Sequence, residues 1–347
     1  MRVLITGGAG FIGSNLVRHV LRAAPDVEIT NLDALTYAGT LTSLRDVEHE
    51  PRYRFVHGDI GDPTLVDDLV PGHDVVINVA AESHNSLAVV DPVRFFRTNV
   101  LGTVTLLEAA RRAGVERFHH VSTCEVYGDL DLDAEEAFHE DSPYRPRTPY
   151  NASKAGADHA VRSYYETFGL PITITNCANN YGPYQFPEKV IPLFTTNALD
   201  GLELPVYASS ENRREWIHVD DHCRAIWEVV TRGREGSTYH VGTGEERSVA
   251  QIADAVLAAL GADRSLLKTV PDRPGHDRRY LLESDRIRDE LGWRPSLAFD
   301  EGLQDTISWY QDHRDWWEPL RERAPVAEGE AWKERSSPAG AAGEPRS

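Results

Sequence analysis

Tyr150 and Lys154 stand as Tyr-x-x-x-Lys in Pro149-Tyr150-Asn151-Ala152-Ser153-Lys154. At i, i+4 on a helix the two share one face, about one turn apart. A tyrosine that must accept a hydroxyl proton needs its pKa brought down from ~10. An ammonium beside the phenol does that, and a positively charged cofactor ring adds to it. Upstream, Val121-Ser122-Thr123 closes a predicted strand, where Thr123 is placed to hydrogen-bond the same hydroxyl.

A second constellation opens the chain. Thr6-Gly7-Gly8-Ala9-Gly10-Phe11-Ile12-Gly13 joins a predicted strand to a predicted helix. Gly7 permits the tight turn, Gly10 lets the backbone approach a pyrophosphate, and Gly13 lets helix and strand pack closely. The helix N-terminus offers N–H groups and a favourable dipole to phosphates. Asp33 ends the second strand, where a carboxylate accepts from the ribose hydroxyls of NAD and repels the extra phosphate of NADP. The expected cofactor is therefore NAD, with Phe11, Ile12, Ile60 and Ala80 completing its candidate lining. Asp59, after the third strand, either meets the adenine or serves as a turn aspartate. Asn99 either supports the lysine through the helix backbone or is simply a helix-interior asparagine.

The elements that must position these groups follow from periodicity. Arg2–Thr6, Val27–Asp33, Tyr53–His57, Val75–Ala80, Phe118–Thr123 and Ile172–Asn176 read as strands, several apolar almost throughout, as parallel strands covered on both faces are. Helices are predicted at Ser14–Ala23, Thr103–Ala113 and Lys154–Phe168, then at His222–Thr231, Val249–Leu260 and Gly302–Asp312. This alternation predicts an α/β fold, a doubly wound parallel sheet of the Rossmann type with a smaller interleaved lobe. The expected division is a cofactor domain over 1–180, a substrate lobe mainly over 181–324, and a disordered tail over 325–347.

Composition excludes several classes. With 55 acidic against 36 basic residues and a formal charge of -19, nucleic acid is not the expected partner. A few local arginines still suffice for a diphosphate. Three cysteines without C-x-x-C spacing provide neither a disulfide framework nor a zinc site, so no metal is expected. The chain has no signal-type opening and no apolar run near the ~18 residues that span a bilayer, which predicts a cytoplasmic protein without a membrane partner.

Longer segments carry a resemblance: Ala81-Glu82-Ser83-His84, Ser122-Thr123-Cys124-Glu125-Val126-Tyr127-Gly128, Asn179-Asn180-Tyr181-Gly182-Pro183-Tyr184, Phe186-Pro187-Glu188-Lys189 and Arg273-Pro274-Gly275-His276-Asp277. With the two motifs above, they make the chain similar to the extended short-chain dehydrogenase/reductase family, and within it to the dTDP-glucose 4,6-dehydratases, from Met1 to about Trp316. The resemblance implies a three-step reaction on tightly held NAD. Tyr150 takes the proton of the sugar's 4-hydroxyl as hydride leaves C4. A carboxylate removes the proton on C5 while an acid protonates the departing 6-hydroxyl, and the hydride then returns to C6. The family's base for C5 matches Glu125, and its aspartic acid for the leaving group is replaced by Cys124. A thiol is mostly protonated at neutral pH, so Cys124 either donates weakly or only packs.

Asn179, Lys189, Arg214, Arg273 and His276 match positions that hold the nucleotide diphosphate in the family, and His84 borders the sugar. Alternatives stand beside two of them: an exposed ion pair for Arg214, and a satisfied buried histidine for His84. Departures from the family occur at Asn85-Ser86-Leu87-Ala88, which borders the sugar pocket, and at His240, near the nucleotide. The expected function is NAD-dependent dehydration of a nucleotide-diphosphate sugar, with homodimerisation implied by the family. Alternatives are a 5,6-dehydratase returning hydride to C4, a 4-epimerase, a UDP-glucuronate decarboxylase and a non-catalytic NAD-binding sensor.

Overall fold

A computed structural model describes residues 1–272 and 275–324. The tail expected over 325–347 and the diphosphate candidate Arg273 lie outside the described residues.

Six strands and their crossovers form the first half. They are β1 (Arg2–Thr6), β2 (Glu28–Asp33), β3 (Tyr53–His57), β4 (Val75–Asn78), β5 (Arg117–Thr123) and β6 (Ile172–Cys177). Later strands are β7 (Asn179–Tyr181), β8 (Leu204–Tyr207), β9 (Arg213–His218), β10 (Thr238–Val241), β11 (Glu246–Ser248) and β12 (Leu267–Val270). The main sheet is parallel and seven-stranded, in the order β10-β6-β5-β4-β1-β2-β3. Chain order reverses between β1 and β4, which opens a crevice beyond the carboxyl ends of the strands. β10 and β6 pair in register from Thr238 with Ile174 to Val241 with Cys177, so late sequence completes the early sheet.

Side chains alternate across this sheet, as a period of two requires. Val3 and Ile5 of β1 and Val75 and Ile77 of β4 face Leu16, Val17 and Val20 of α1 (Phe11–Ala23). Leu4 and Val76 face the opposite way, into a cluster with residues of α2 (Pro63–Leu69). Between α2 and the next long helix lie α3 (Asn85–Val90), α4 (Pro92–Phe95) and a π-helical segment at Phe96–Gly102. That next helix, α5 (Thr103–Ala113), adds Leu106 and Leu107 to the Leu4 cluster, and α6 (Pro149–Phe168) adds Val161. Each aliphatic side chain fully buried this way contributes about 1.5–3 kcal/mol relative to exposure.

The remaining helices are α7 (Val190–Leu199), α8 (Val219–Arg232), α9 (Val249–Leu260), α10 (Asp285–Leu291), α11 (Phe299–Asp312) and α12 (Arg314–Arg321). Val219, Cys223, Ile226 and Val230 of α8 join the α1 side of the main core. A separate core gathers Ile191 and Phe194 of α7, Ile252 and Val256 of α9, and Phe299, Leu303 and Ile307 of α11 around Tyr181 and Trp216. Among the described residues no helix is long and apolar enough to cross a membrane.

α6 carries the Tyr-x-x-x-Lys pair and begins earlier than predicted. Thr148 caps it, its hydroxyl accepting from the Asn151 amide at 3.2 Å, with Pro149 in the first turn. Gly169, at φ 68°, ends it in the left-handed conformation that glycine adopts without a Cβ clash.

Candidate active site

A cavity of about 320 Å³ lies at the carboxyl ends of β1, β2, β4, β5 and β6. Its floor is the glycine turn. Gly7 has φ +71°, and a Cβ there would sit 2.7 Å from the Cα of Ala80 at the β4 exit. A Cβ on Gly13 would strike the Gly7 carbonyl. No side chain caps the first turn of α1 and no acidic residue occupies it, so its dipole and N–H groups face the cavity floor uncompensated. Asp33 ends β2 with Oδ2 accepting from the Ala9 amide and Oδ1 from the Leu35 amide, both at 2.8 Å. Burial raises its pKa, and those two amides oppose the shift. The turn, the helix end and the carboxylate match what a dinucleotide needs: close backbone approach, donors for a pyrophosphate, and an acceptor for ribose hydroxyls.

Phe11, Ile12, Asp59, Ile60 and Ala80 line the same cavity. Asp59 is a turn aspartate at the wall, its Oδ1 accepting from the Gly61 amide at 2.7 Å. Asn99 does not line the cavity; Thr98 does. The Asn99 amide instead bridges main chain and helix. Its Oδ1 accepts from the Glu82 amide at 2.8 Å, and its Nδ2 donates to the Glu82 carbonyl at 3.0 Å and the Ser153 hydroxyl at 2.8 Å. Ser153 in turn donates to the Tyr150 carbonyl at 2.7 Å. Asn99 thus ties the Glu82 main chain to the first turn of α6, which carries Tyr150.

Thr123, Glu125, Tyr150 and Lys154 share one wall. Tyr150 is hydrogen-bonded to the Thr123 hydroxyl, and its ring meets Phe95 edge-on at 6.3 Å. Burial pushes the phenol well above its usual pKa, with the Glu125 charge adding to the rise. The lowered value expected from sequence is therefore not what these side chains give: desolvation outweighs the hydrogen bond with Thr123. Lys154 Nζ donates to the Val121 carbonyl at 2.8 Å and lies 3.3 Å from His120 Nε2. Burial pushes its ammonium down to about 8, opposed by Asp158. Glu125 is anchored by Asn85, whose Nδ2 donates to Oε2 at 3.1 Å and whose Oδ1 accepts from the Thr148 hydroxyl at 3.1 Å. The family departure at Asn85 therefore ties the carboxylate to the cap of α6.

Of the two readings of Cys124, weak donor or packing residue, its surroundings favour the second. It is 1% exposed, it packs with Val126, Tyr127, Ala155, Tyr280 and Leu282, and it is not part of the cavity wall. The residues on either side of it, Thr123 and Glu125, line the cavity, and the side chain between them is directed the other way. Burial pushes its thiol well above the usual range, with Glu125 adding to the rise.

On the substrate side, Asn179 and Lys189 line the cavity and Arg214, His276 and His84 do not. Asn179 Oδ1 is buried with no hydrogen-bond partner among the described residues, a sign of a ligand donor. Arg214 is 7% exposed, and its guanidinium donates to the carbonyls of Arg213, Asp277 and Arg278. It is neither an exposed ion pair nor a wall residue; it braces the turn that carries His276. The His276 ring packs on Tyr207 at 4.9 Å, with Nδ1 3.2 Å from the Ser209 hydroxyl. His84 is buried: Nδ1 accepts from the Leu87 amide at 3.4 Å and Nε2 lies 3.1 Å from Glu188 Oε2. His240 is likewise internal, with Nε2 2.7 Å from the Tyr127 hydroxyl and burial pushing its pKa down to about 3.

The structure adds wall residues that sequence reasoning had not cast as functional. Glu188 lines the cavity and accepts from the Tyr37 hydroxyl at 2.7 Å; its signal was its place beside Lys189 in Phe186-Pro187-Glu188-Lys189. Cys177, at the end of β6, is also on the wall. Among the described residues no cluster of three or more His, Cys, Asp or Glu is arranged to hold a metal ion.

Comparison with known proteins agrees with this geometry. The family model described as GDP-mannose 4,6 dehydratase matches residues 4–306. A dTDP-glucose 4,6-dehydratase of Streptomyces niveus is 49% identical over 325 residues, 92% of this chain and 96% of that protein. Its counterpart in Escherichia coli is 44% identical, again over 92% of this chain and 96% of the relative. The crystal structure of DesIV, a dTDP-glucose 4,6-dehydratase of Streptomyces venezuelae with NAD and dTDP bound, superposes with a TM-score of 0.90 at 51% identity, covering 92% of this chain and all of that one. With its glycine turn, its Tyr-x-x-x-Lys helix and a matched length that takes in both, this chain belongs to the GDP-mannose 4,6 dehydratase family of extended short-chain dehydrogenases/reductases.

Proposed function

We propose that the protein is an NAD-dependent dTDP-glucose 4,6-dehydratase, a lyase that removes water from the sugar of a nucleotide diphosphate and leaves a 4-keto-6-deoxy product. One observation carries this reading: a base for a hydroxyl proton and a separate carboxylate stand on one wall, next to a dinucleotide turn. NAD bound along the glycine turn supplies the hydride acceptor for C4 and the hydride donor for C6. Asp33 holds its ribose, and the first turn of α1 holds its pyrophosphate. Tyr150 takes the 4-hydroxyl proton while Thr123 fixes that oxygen and Lys154 stabilises the phenolate. Glu125 removes the C5 proton, which the new 4-ketone has acidified. Asn179 and Lys189 hold the diphosphate. A 4-epimerase needs no Glu125, which favours dehydration.

The test is product analysis by mass spectrometry and NMR after incubation with dTDP-glucose in deuterated water. Loss of water, a 4-ketone and deuterium at C5 are expected. Unchanged mass would make the protein an epimerase or a sensor, and a 5,6-alkene would assign hydride return to C4. The reading includes a homodimer, formed over the exposed apolar residues Val93, Phe96 and Leu101 beside α4. Sedimentation at a monomer mass at micromolar concentration would remove that part.

A further inference from the structure

Behind the cavity wall, Lys154 meets two groups to which the reaction proposed above gives no part. His120 of β5 is 1% exposed, and Asp158, one turn beyond Lys154 on α6, is fully buried. A single ring nitrogen, His120 Nε2, lies 3.3 Å from Lys154 Nζ and 3.5 Å from Asp158 Oδ1. As a bare acceptor it would serve the lysine; carrying a proton, it serves the carboxylate. The far side of the ring decides between them. Thr6 Oγ1 accepts from the Ala80 amide at 3.3 Å and donates to Asn78 Oδ1 at 2.7 Å. Asn78 therefore presents its Nδ2 to His120 Nδ1, 3.2 Å away. An amide nitrogen only donates, so Nδ1 is bare; burial and the Lys154 charge keep the ring neutral, so its one proton is on Nε2. Asp158 gives the same answer. Its Oδ2 accepts from the Tyr144 hydroxyl at 2.8 Å and from Asn176 Nδ2 at 3.3 Å. Its Oδ1 is buried and otherwise without a hydrogen-bond partner among the described residues, a costly state that the His120 proton relieves.

We infer that His120 and Asp158 are a buried positioning pair for Lys154: the imidazole donates to the carboxylate, and the carboxylate's charge holds the ammonium from behind. The inference rests on the role proposed above for Lys154. Because His120 turns its proton to Asp158, it takes no hydrogen bond from the lysine. Lys154 donates to the Val121 carbonyl at 2.8 Å, and its other N–H bonds are left for the cavity that it shares with Tyr150. Burial drives the ammonium down to about 8, and Asp158 is the first influence that opposes it, ahead of Cys177. The remaining charged or titratable groups about the pair are His119 of β5, Tyr127, and Arg162, whose Nη2 donates to the Tyr144 hydroxyl at 2.7 Å. Asn176 extends the arrangement to the wall, since the Nδ2 that meets Asp158 also donates to the Thr123 carbonyl at 3.1 Å.

The NAD-bound enzyme provides the test, in two arms. In wild-type protein carrying 15N-labelled histidine, the His120 signals, identified by their loss in His120→Gln, are expected to show a protonated Nε2 and a bare Nδ1. A proton on Nδ1 would make Nε2 an acceptor for the lysine and overturn the inference, whether or not the protein turns over. The second arm is the pH profile of kcat on dTDP-glucose. Stabilising the phenolate needs the ammonium, so kcat is expected to fall as pH rises through about 8. Asp158→Asn keeps the shape and an acceptor for Tyr144 but removes the charge, so Lys154 gives up its proton at lower pH. The alkaline limb is then expected to move down by about one pH unit or more, with KM unchanged. A limb left in place, or a loss of kcat equal at every pH, would make Asp158 structural and overturn the inference. If Asp158→Asn does not fold, the wild-type spectrum still decides. Failure of the wild type to form any 4-ketone from dTDP-glucose would instead remove the proposed function, and the tautomer would be read all the same.

Discussion

Tyr150→Phe is expected to lower kcat by about a thousandfold, within the range that general acid–base groups supply, while NAD remains bound and the fold is kept. Phenylalanine fills the same space, so the edge-on contact with Phe95 and the packing with Leu87 and Ala88 survive. What disappears is the phenol oxygen and its bond with Thr123, a loss of about 1 kcal/mol in stability. The cofactor contacts proposed for the glycine turn and Asp33 lie on β1 and β2, outside the substituted side chain. Fluorescence titration with NAD and steady-state kinetics on dTDP-glucose check the two halves separately. Near-wild-type turnover would remove Tyr150 as the base, and loss of NAD affinity would show that the phenol has a binding role instead.

Glu125→Gln separates the reaction's stages. Glutamine has the same shape, and its carbonyl oxygen can still accept from Asn85 Nδ2, so the wall keeps its geometry. Thr123, Tyr150 and Lys154 are untouched, so oxidation at C4 should continue. The C5 proton has no acceptor, and turnover should fall by about a thousandfold. Reduced cofactor should therefore accumulate to near one equivalent per site, visible by its absorbance in a stopped-flow trace. Deuterium exchange at C5 should stop as well. A variant that neither accumulates reduced cofactor nor turns over would show that Glu125 also takes part in oxidation.

Much of the scaffold was legible because it rests on short-range patterns. β1 and β3 fall on the predicted residues, and the strand–helix alternation through β6 is what the sheet displays. The glycine turn could be read from Gly7 and Gly13 because sterics at those positions admit nothing larger. Contacts between residues distant in sequence were not legible. Glu188 meets Tyr37 across 151 positions and Asn85 meets Glu125 across 40, and no local spacing encodes either pairing. The choice between the two readings of Cys124 was not legible for a different reason. Similarity to a family supplies a residue's position in the chain, while the direction of a side chain between two wall residues depends on what packs behind it, here Ala155, Tyr280 and Leu282. The surroundings of Arg214 and His84 were no more legible: the guanidinium donates to the Asp277 carbonyl, and the imidazole lies 3.1 Å from Glu188 Oε2.

The place of β10 bears on how this chain is made. Until about residue 241 has left the ribosome, β6 is an open edge, with its N–H and C=O groups unpaired. α8, which covers one side of the first core against α1, arrives only slightly earlier. The nascent cofactor half is thus a template for strand addition by other chains, and its last partner must be recruited across about sixty intervening residues, a long-range closure that slows folding. Expression of residues 1–180 alone should accordingly yield aggregate, because the fragment lacks both the strand that ends its sheet and the helix that roofs it.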